Sequence, residues 1–256
     1  MARTKIFNMG KKGACPDKTL LRYNLLSFVE KKVYCILRQS IEKFEKSVVF
    51  PFAFSTDEYW NAARALSYDD PLLSIAFDTS TCRYKVDRDN NQTYLELSYK
   101  YVTSREENET LMKRIQYKIH YFIENIMQIK EGMNDIDKVE AVYKELSKRM
   151  KYSDKKGEKY PDFSRDVLCM EYGNGVCEGI AKLFLCFLSE LGVPCMIITG
   201  DHHAWNIAYV NGGYKHFDLT WDLQRRDVLK YFCMSDNTAR KNHHKWEEDT
   251  GIPKCA

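Results

Sequence analysis

Three residues in the last third of the chain have the types and surroundings that thiol chemistry needs: Cys177, His203 and Asp218. Cys177 stands in GNGVCEGIAKLFLCFLSELG, residues 173–192. Two glycines precede it. Ile180, Leu183, Phe184, Phe187, Leu188 and Leu191 follow at helical spacing, and Gly192 is placed to end the helix. The thiol is therefore expected at a helix start, where unpaired N–H groups and partial positive charge favour a thiolate. Such placement lowers a thiol pKa from about 8.5 to roughly 3.5–7.5. The same N–H groups suit an oxyanion formed when the sulfur attacks a carbonyl.

A base and an acid are supplied by two strand-like segments, HAWNIAYV (203–210) and YKHFDLTWD (214–222), separated by Asn211-Gly212. Asn-Gly between alternating segments is a strong hairpin signal. With that dipeptide as the turn, Val210 pairs with Gly213, and His203 is expected opposite Thr220 and diagonal to Asp218, on one face of the sheet. A carboxylate so placed orients an imidazole and stabilises its charged form, leaving the other ring nitrogen to face the thiol. His202 is expected on the opposite face from His203. His216 reads as a structural histidine, and His243 and His244 lie in a polar, basic C-terminal stretch without a matching set of metal ligands.

The order of these motifs, G-V-C-x-G, then H-x-W-N, then D-x-T-W-D, resembles the transglutaminase-like superfamily, a branch of the papain-like cysteine fold, and its uncharacterised bacterial members above all. The resemblance runs from about Asp137 to YFCMSDNTARKNHHKW at 231–246. It implies Cys177 as nucleophile, His203 as general base and Asp218 as orienting acid. It further implies an upstream side chain completing the oxyanion site, for which Tyr160, Tyr172, Asn174 and Trp60 are all candidates. The implied activity is acyl transfer on protein or peptide amides through a thioester. Hydrolysis is favoured because water needs no second acceptor site. A cross-linking transglutaminase and a non-catalytic binding module are the alternatives.

The remaining elements must position that set. Apolar residues at helical spacing run from Leu20 to Phe44, and VVFPFAF (48–54) is expected to run extended. Ser55–Glu58 has the capping-box form and opens a helix to about Leu66. Strands are expected at 82–86 and 93–101 around Arg88-Asp89-Asn90-Asn91, with Leu95, Leu97, Tyr99 and Tyr101 on one face. A helix begins at Ser104 with the stripe Leu111, Ile115, Ile119, Phe122, Ile126, Ile129. A second, capped by Asn134, carries Ile136, Val139, Val142, Tyr143, Leu146 and Met150. Residues 153–175 read as a long irregular segment. The fold class is α+β: a nucleophile-bearing helix on an antiparallel sheet (104–256), with an N-terminal α+β extension (1–103) sharing the core.

Composition bounds the rest. Hydrophobic residues at 44% and charged residues at 29% are globular values, which argues against a disordered or fibrous chain. The longest apolar run, Val48–Phe54, is far short of the roughly twenty residues a membrane helix needs. Nine cysteines, an odd number with no C-x-x-C pair and no visible export signal, suggest free thiols and a cytoplasmic location. The first fifty residues hold eleven Lys or Arg against four acidic residues, which reads as a solvated helix face, and no nucleic-acid-binding motif accompanies it. No cofactor or metal is expected, and no dense acidic loop of the calcium type occurs.

Overall fold

The computed structural model describes residues 21–256 except 74, 76, 90–91, 159, 161, 224, 226–228 and 247–250. The chain divides into two compact units, residues 1–108 and 109–256. In the first unit, α1 (Leu21–Leu25) and α2 (Phe28–Glu42) replace the single helix that periodicity predicts. The break has a local cause. Ser27 and Glu30 form a capping box, with the Glu30 N–H on Ser27 Oγ at 3.3 Å and the Ser27 N–H on the Glu30 carboxylate at 2.6 Å. After β1 (Ser47–Phe50), Ser55 and Glu58 repeat that device at the start of α3 (Thr56–Asp69), which runs past the expected end at Leu66. Strands β2 (Phe77–Asp89) and β3 (Gln92–Tyr101) complete an antiparallel sheet of order β1-β3-β2. Val33, Tyr34, Leu37, Phe50, Ala62, Leu66 and Leu97 form its core. The Tyr101 hydroxyl donates to the Glu45 carbonyl at 2.8 Å. The turn at Asn90-Asn91 and the side chains of Leu95 and Tyr99 lie outside the described residues.

Helix α4 (Arg105–Tyr121) passes into a single π-helical turn, Phe122–Ile126. The wider turn changes the phase of the apolar stripe: Leu111, Ile115, Ile119 and Ile123 are buried, whereas Ile126 is exposed. Helix α5 (Asp135–Arg149) is capped by Asn134, whose side chain accepts the Asp137 N–H at 2.9 Å.

The stretch expected to be irregular is built from short elements. Strand β4 (Lys151–Tyr152) pairs in parallel with β5 (Asn174–Gly175), with a 3-10 turn (Phe163–Arg165) and α6 (Cys169–Tyr172) between them. Phe163, Val167, Leu168 and Cys169 are buried, so this segment is packed. Helix α7 (Cys177–Glu190) lies against a three-stranded antiparallel sheet of order β6-β7-β8: β6 (Cys195–Gly200), β7 (His203–Val210) and β8 (Gly213–Phe217). Asn206 ties the two layers, its side-chain amide donating to the Ala181 carbonyl at 3.1 Å. Helices α8 (Leu219–Leu223) and α9 (Asp236–Lys241) follow. Among the described residues no helix is long and apolar enough to cross a membrane.

The Asn211-Gly212 turn sets the expected register, from Val210↔Gly213 to Asn206↔Phe217. Both turn residues have positive φ, 51° and 82°, as a type I′ hairpin requires. The pairing does not continue to His203 and Thr220. β8 stops at Phe217, because Asp218 Oδ1 accepts the Trp221 N–H at 3.0 Å and starts α8. His203 is paired instead with Gly200 across a second two-residue turn, Asp201-His202, both with positive φ. His202 is therefore a turn residue and not a strand residue facing away from His203.

Candidate active site

Cys177 is the first residue of α7, as the sequence predicts. Its N-cap, Val176, offers no side-chain acceptor to the first turn, so those N–H groups remain oriented toward the thiol end of the helix. A strap crosses that end: the Ser164 carbonyl accepts the Val176 N–H at 2.9 Å. Gly179 permits the crossing, since a Cβ there would stand 2.3 Å from the Ser164 oxygen. Burial raises the thiol pKa of Cys177. The hydrogen bond and charge of His203, with the backbone N–H groups of Ala204 and Glu178, outweigh burial and hold it below the ordinary value. Cys169, Cys195, Cys233 and Cys255 show the opposite behaviour: burial pushes each of them up, Cys195 and Cys255 to about 12.

His203, at the first position of β7, bridges the thiol to a carboxylate. Its Nε2 lies 2.7 Å from Asp218 Oδ2, leaving Nδ1 for Cys177. Burial lowers its pKa, but the bonds to Asp218 and Cys177 and their charges reverse this, and His203 is pushed up to about 9. The ring is held between indoles, Trp221 at 5.1 Å and 13° and Trp205 at 5.6 Å and 17°. Asp218 is fully buried. Burial alone would raise its carboxyl; donors from His203, His244 and the Trp221 N–H keep it below the usual range. Its backbone is fixed as well, its N–H on the Tyr231 carbonyl at 2.9 Å and its carbonyl facing the Tyr143 hydroxyl at 2.8 Å.

His244 is the residue that sequence spacing misses. Its side chain is buried, and Nε2 lies 2.9 Å from the same Asp218 Oδ2 that His203 uses. It lies in the 231–246 segment, which has no periodic pattern to single it out. His216 is structural, as expected: Trp205 Nε1–H donates to Nδ1 at 3.0 Å, and Nε2 lies 2.8 Å from Asp236 Oδ1.

Two clusters of described residues bring ligand-type atoms together, His203–Asp218–His244 and His216–Asp236–Cys255. The indole N–H on His216 Nδ1 places the ring proton on Nε2, which is then a donor to Asp236 and not a metal ligand. In the first cluster, separations of 2.7 and 2.9 Å are those of N–H···O hydrogen bonds, with the protons a metal would have to replace.

Of the upstream residues considered for an oxyanion donor, Asn174 spends its amide on the Tyr172 carbonyl at 2.6 Å, and Tyr172 packs on Phe163 at 4.1 Å. Tyr160 is buried, and Trp60 lies on α3 in the first unit. Tyr152 on β4, which sequence reading passes over, is half exposed, and its phenol pKa is raised by burial and by the nearby Cys177 charge.

Residues 124–219 match the family model of the transglutaminase-like superfamily. Three solved structures are similar at low identity. A TGase shares 15% identity over 68% of this chain, with TM-score 0.36, and this chain spans half of its length. A candidate protease from Parabacteroides distasonis ATCC 8503 shares 14% over 60% of this chain and 38% of its own, with TM-score 0.31. A candidate cysteine protease from Cytophaga hutchinsonii shares 16% over 56% of this chain and 63% of its own, with TM-score 0.33. No curated protein matches the chain.

Proposed function

We propose, from the match of residues 124–219 to the transglutaminase-like superfamily model and from the site's geometry, that the chain is a cysteine-dependent acyl-transfer enzyme acting on protein or peptide amides, with water as the acyl acceptor. The observation that carries this reading is the continuous path from a helix-terminal thiol of lowered pKa, through His203, to a buried carboxylate 2.7 Å away. Cys177 and His203 begin as thiolate and imidazolium. The sulfur attacks the amide carbonyl, and the Cys177 and Glu178 end of α7 offers N–H groups to the developing oxyanion. As the C–N bond breaks, His203 gives its proton to the leaving amine, and a thioester remains. His203 then removes a proton from water, the resulting hydroxide equivalent attacks the thioester, and the carboxylic acid leaves as Cys177 is regenerated. Asp218 keeps the imidazole oriented throughout.

The test is mass spectrometry after brief treatment with limiting iodoacetamide at pH 6, where ordinary thiols are largely protonated. Cys177 is expected to be alkylated ahead of every other cysteine, and His203→Ala to abolish the preference. Equal labelling of exposed thiols would refute the activated nucleophile. Incubation with a peptide library and a labelled primary amine then separates the acceptors: free acid products support hydrolysis, and amine adducts would replace it with transamidation.

A further inference from the structure

The His244 ring faces an acceptor on each side. Nε2 meets Asp218 Oδ2 at 2.9 Å, and Nδ1 meets the Ala239 carbonyl oxygen at 3.2 Å. A carbonyl cannot donate. Asp218 already accepts from the Trp221 N–H and from His203, so it behaves as a carboxylate. Both contacts are satisfied only if His244 carries a proton on each nitrogen. The position is built to hold such a ring. Its side chain is fully enclosed, packed on Trp221 at 4.1 Å, Trp205 at 5.1 Å and Tyr231 at 5.8 Å. The segment bearing it is clamped onto the β6–β7 turn: the Lys245 carbonyl oxygen sits where a Cβ on Gly200 would be, and Lys245 Nζ pairs with Asp201 at 3.2 Å.

We propose that His244 is a positioning residue of this site, a buried imidazolium that shares Asp218 Oδ2 with His203 and weakens the carboxylate's hold on the His203 proton. This rests on the catalytic reading of Cys177, His203 and Asp218. Without a second cation, a fully buried carboxylate would favour the charged form of His203 so strongly that proton transfer to a leaving amine is opposed. His244 supplies the opposing charge at the same oxygen, its ring 6.3 Å from that of His203. Among the described residues, His216 on β8 and Tyr231 are further titratable groups beside it, and Arg240 on α9 acts on His216. Among the influences that lower the His216 pKa, after burial, is the charge of His244.

Proton–nitrogen NMR of the histidine rings tests this without a substrate. In the wild-type protein at pH 7, both His244 nitrogens are expected to carry protons; a His244 ring with one bare nitrogen would overturn the proposal. In His244→Gln, which can keep one donor to Asp218 but has no charge, the His203 titration midpoint should rise by about one pH unit. An unmoved midpoint in a folded variant would equally overturn it. If the variant does not fold, the wild-type spectrum alone decides. The iodoacetamide experiment is separate: failure of Cys177 to react preferentially sinks the catalytic reading, whereas a neutral His244 beside a reactive Cys177 sinks only this inference.

Discussion

Replacing Gly179 by alanine sets two physical effects of opposite sign against each other. In a helix interior, alanine is favoured over glycine by about 1 kcal/mol, so propensity alone predicts a more stable protein. The structure predicts the reverse. The new Cβ would stand 2.3 Å from the Ser164 oxygen, 3.0 Å from the Ser164 carbonyl carbon and 3.1 Å from the Asp166 oxygen, all backbone atoms. Relief requires the Phe163–Arg165 strap to retreat by about 1 Å. The strap is not free to do so. The Ser164 carbonyl holds the Val176 N–H at 2.9 Å, and the Arg165 carbonyl holds Lys182 Nζ at 3.2 Å. Overpacking of this kind costs about 1–3 kcal/mol, and a weakened hydrogen bond adds about 1. After the propensity gain, a net loss of about 1–3 kcal/mol remains, which for a unit of this size lowers Tm by roughly 3–10 °C. Cys177 is two residues away, and a displacement of about 1 Å there can cost up to about 100-fold in rate. Thermal unfolding followed by circular dichroism, together with the Cys177 alkylation rate, measures both effects. A Tm equal to or above the wild type with an unchanged alkylation rate would refute the close-approach argument.

Two further perturbations test the buried network. Tyr143→Phe removes the hydroxyl that faces the Asp218 carbonyl at 2.8 Å and Asp222 Oδ2 at 2.5 Å, and should cost about 1–3 kcal/mol in urea unfolding; a loss under about 0.5 kcal/mol would show that these groups find other partners. The native His203 pKa, pushed up to about 9 from an ordinary 6.5, gives the second. A raised histidine contributes stability that is complete below about pH 6.5 and disappears as pH rises through about 9, a few kcal/mol at most for this enclosed side chain. The stability difference between wild type and His203→Ala should therefore be level from about pH 5 to 6.5 and shrink toward pH 9; a difference independent of pH would exclude the shift.

The legibility of this molecule follows the range of its signals. Cys177 at a helix start and the hairpin register were readable because glycines, an apolar stripe and Asn-Gly act over a few residues. The end of β8 was less so. Asp218 can continue a strand or cap a helix, and the choice depends on Oδ1 reaching the Trp221 N–H, which a period-2 reading of YKHFDLTWD does not weigh. The Ser27–Glu30 capping box has the same form as the one at Ser55, yet the unbroken apolar periodicity around it conceals the helix break. The π-helical turn after Tyr121 leaves no mark in composition, and it moves burial from Ile126 to Ile123. His244 was beyond such reasoning altogether. It meets Asp218 from 26 positions away, through a segment with no repeat, and only the folded chain brings them together.

Asp218 is where distant parts of the chain converge: Tyr143 from α5, His203 from β7, Trp221 from α8, Tyr231, and His244 beyond α9. Helix α7, with the Glu178 N–H, can form from local interactions, but His203 and Ala204, which also lower the Cys177 pKa, close over a long loop and therefore late. During synthesis, the thiol emerges well before His203, Asp218 and His244 exist to act on it. The nascent chain thus carries this thiol without its imidazole and carboxylate neighbours, which arrive only with completion of the unit.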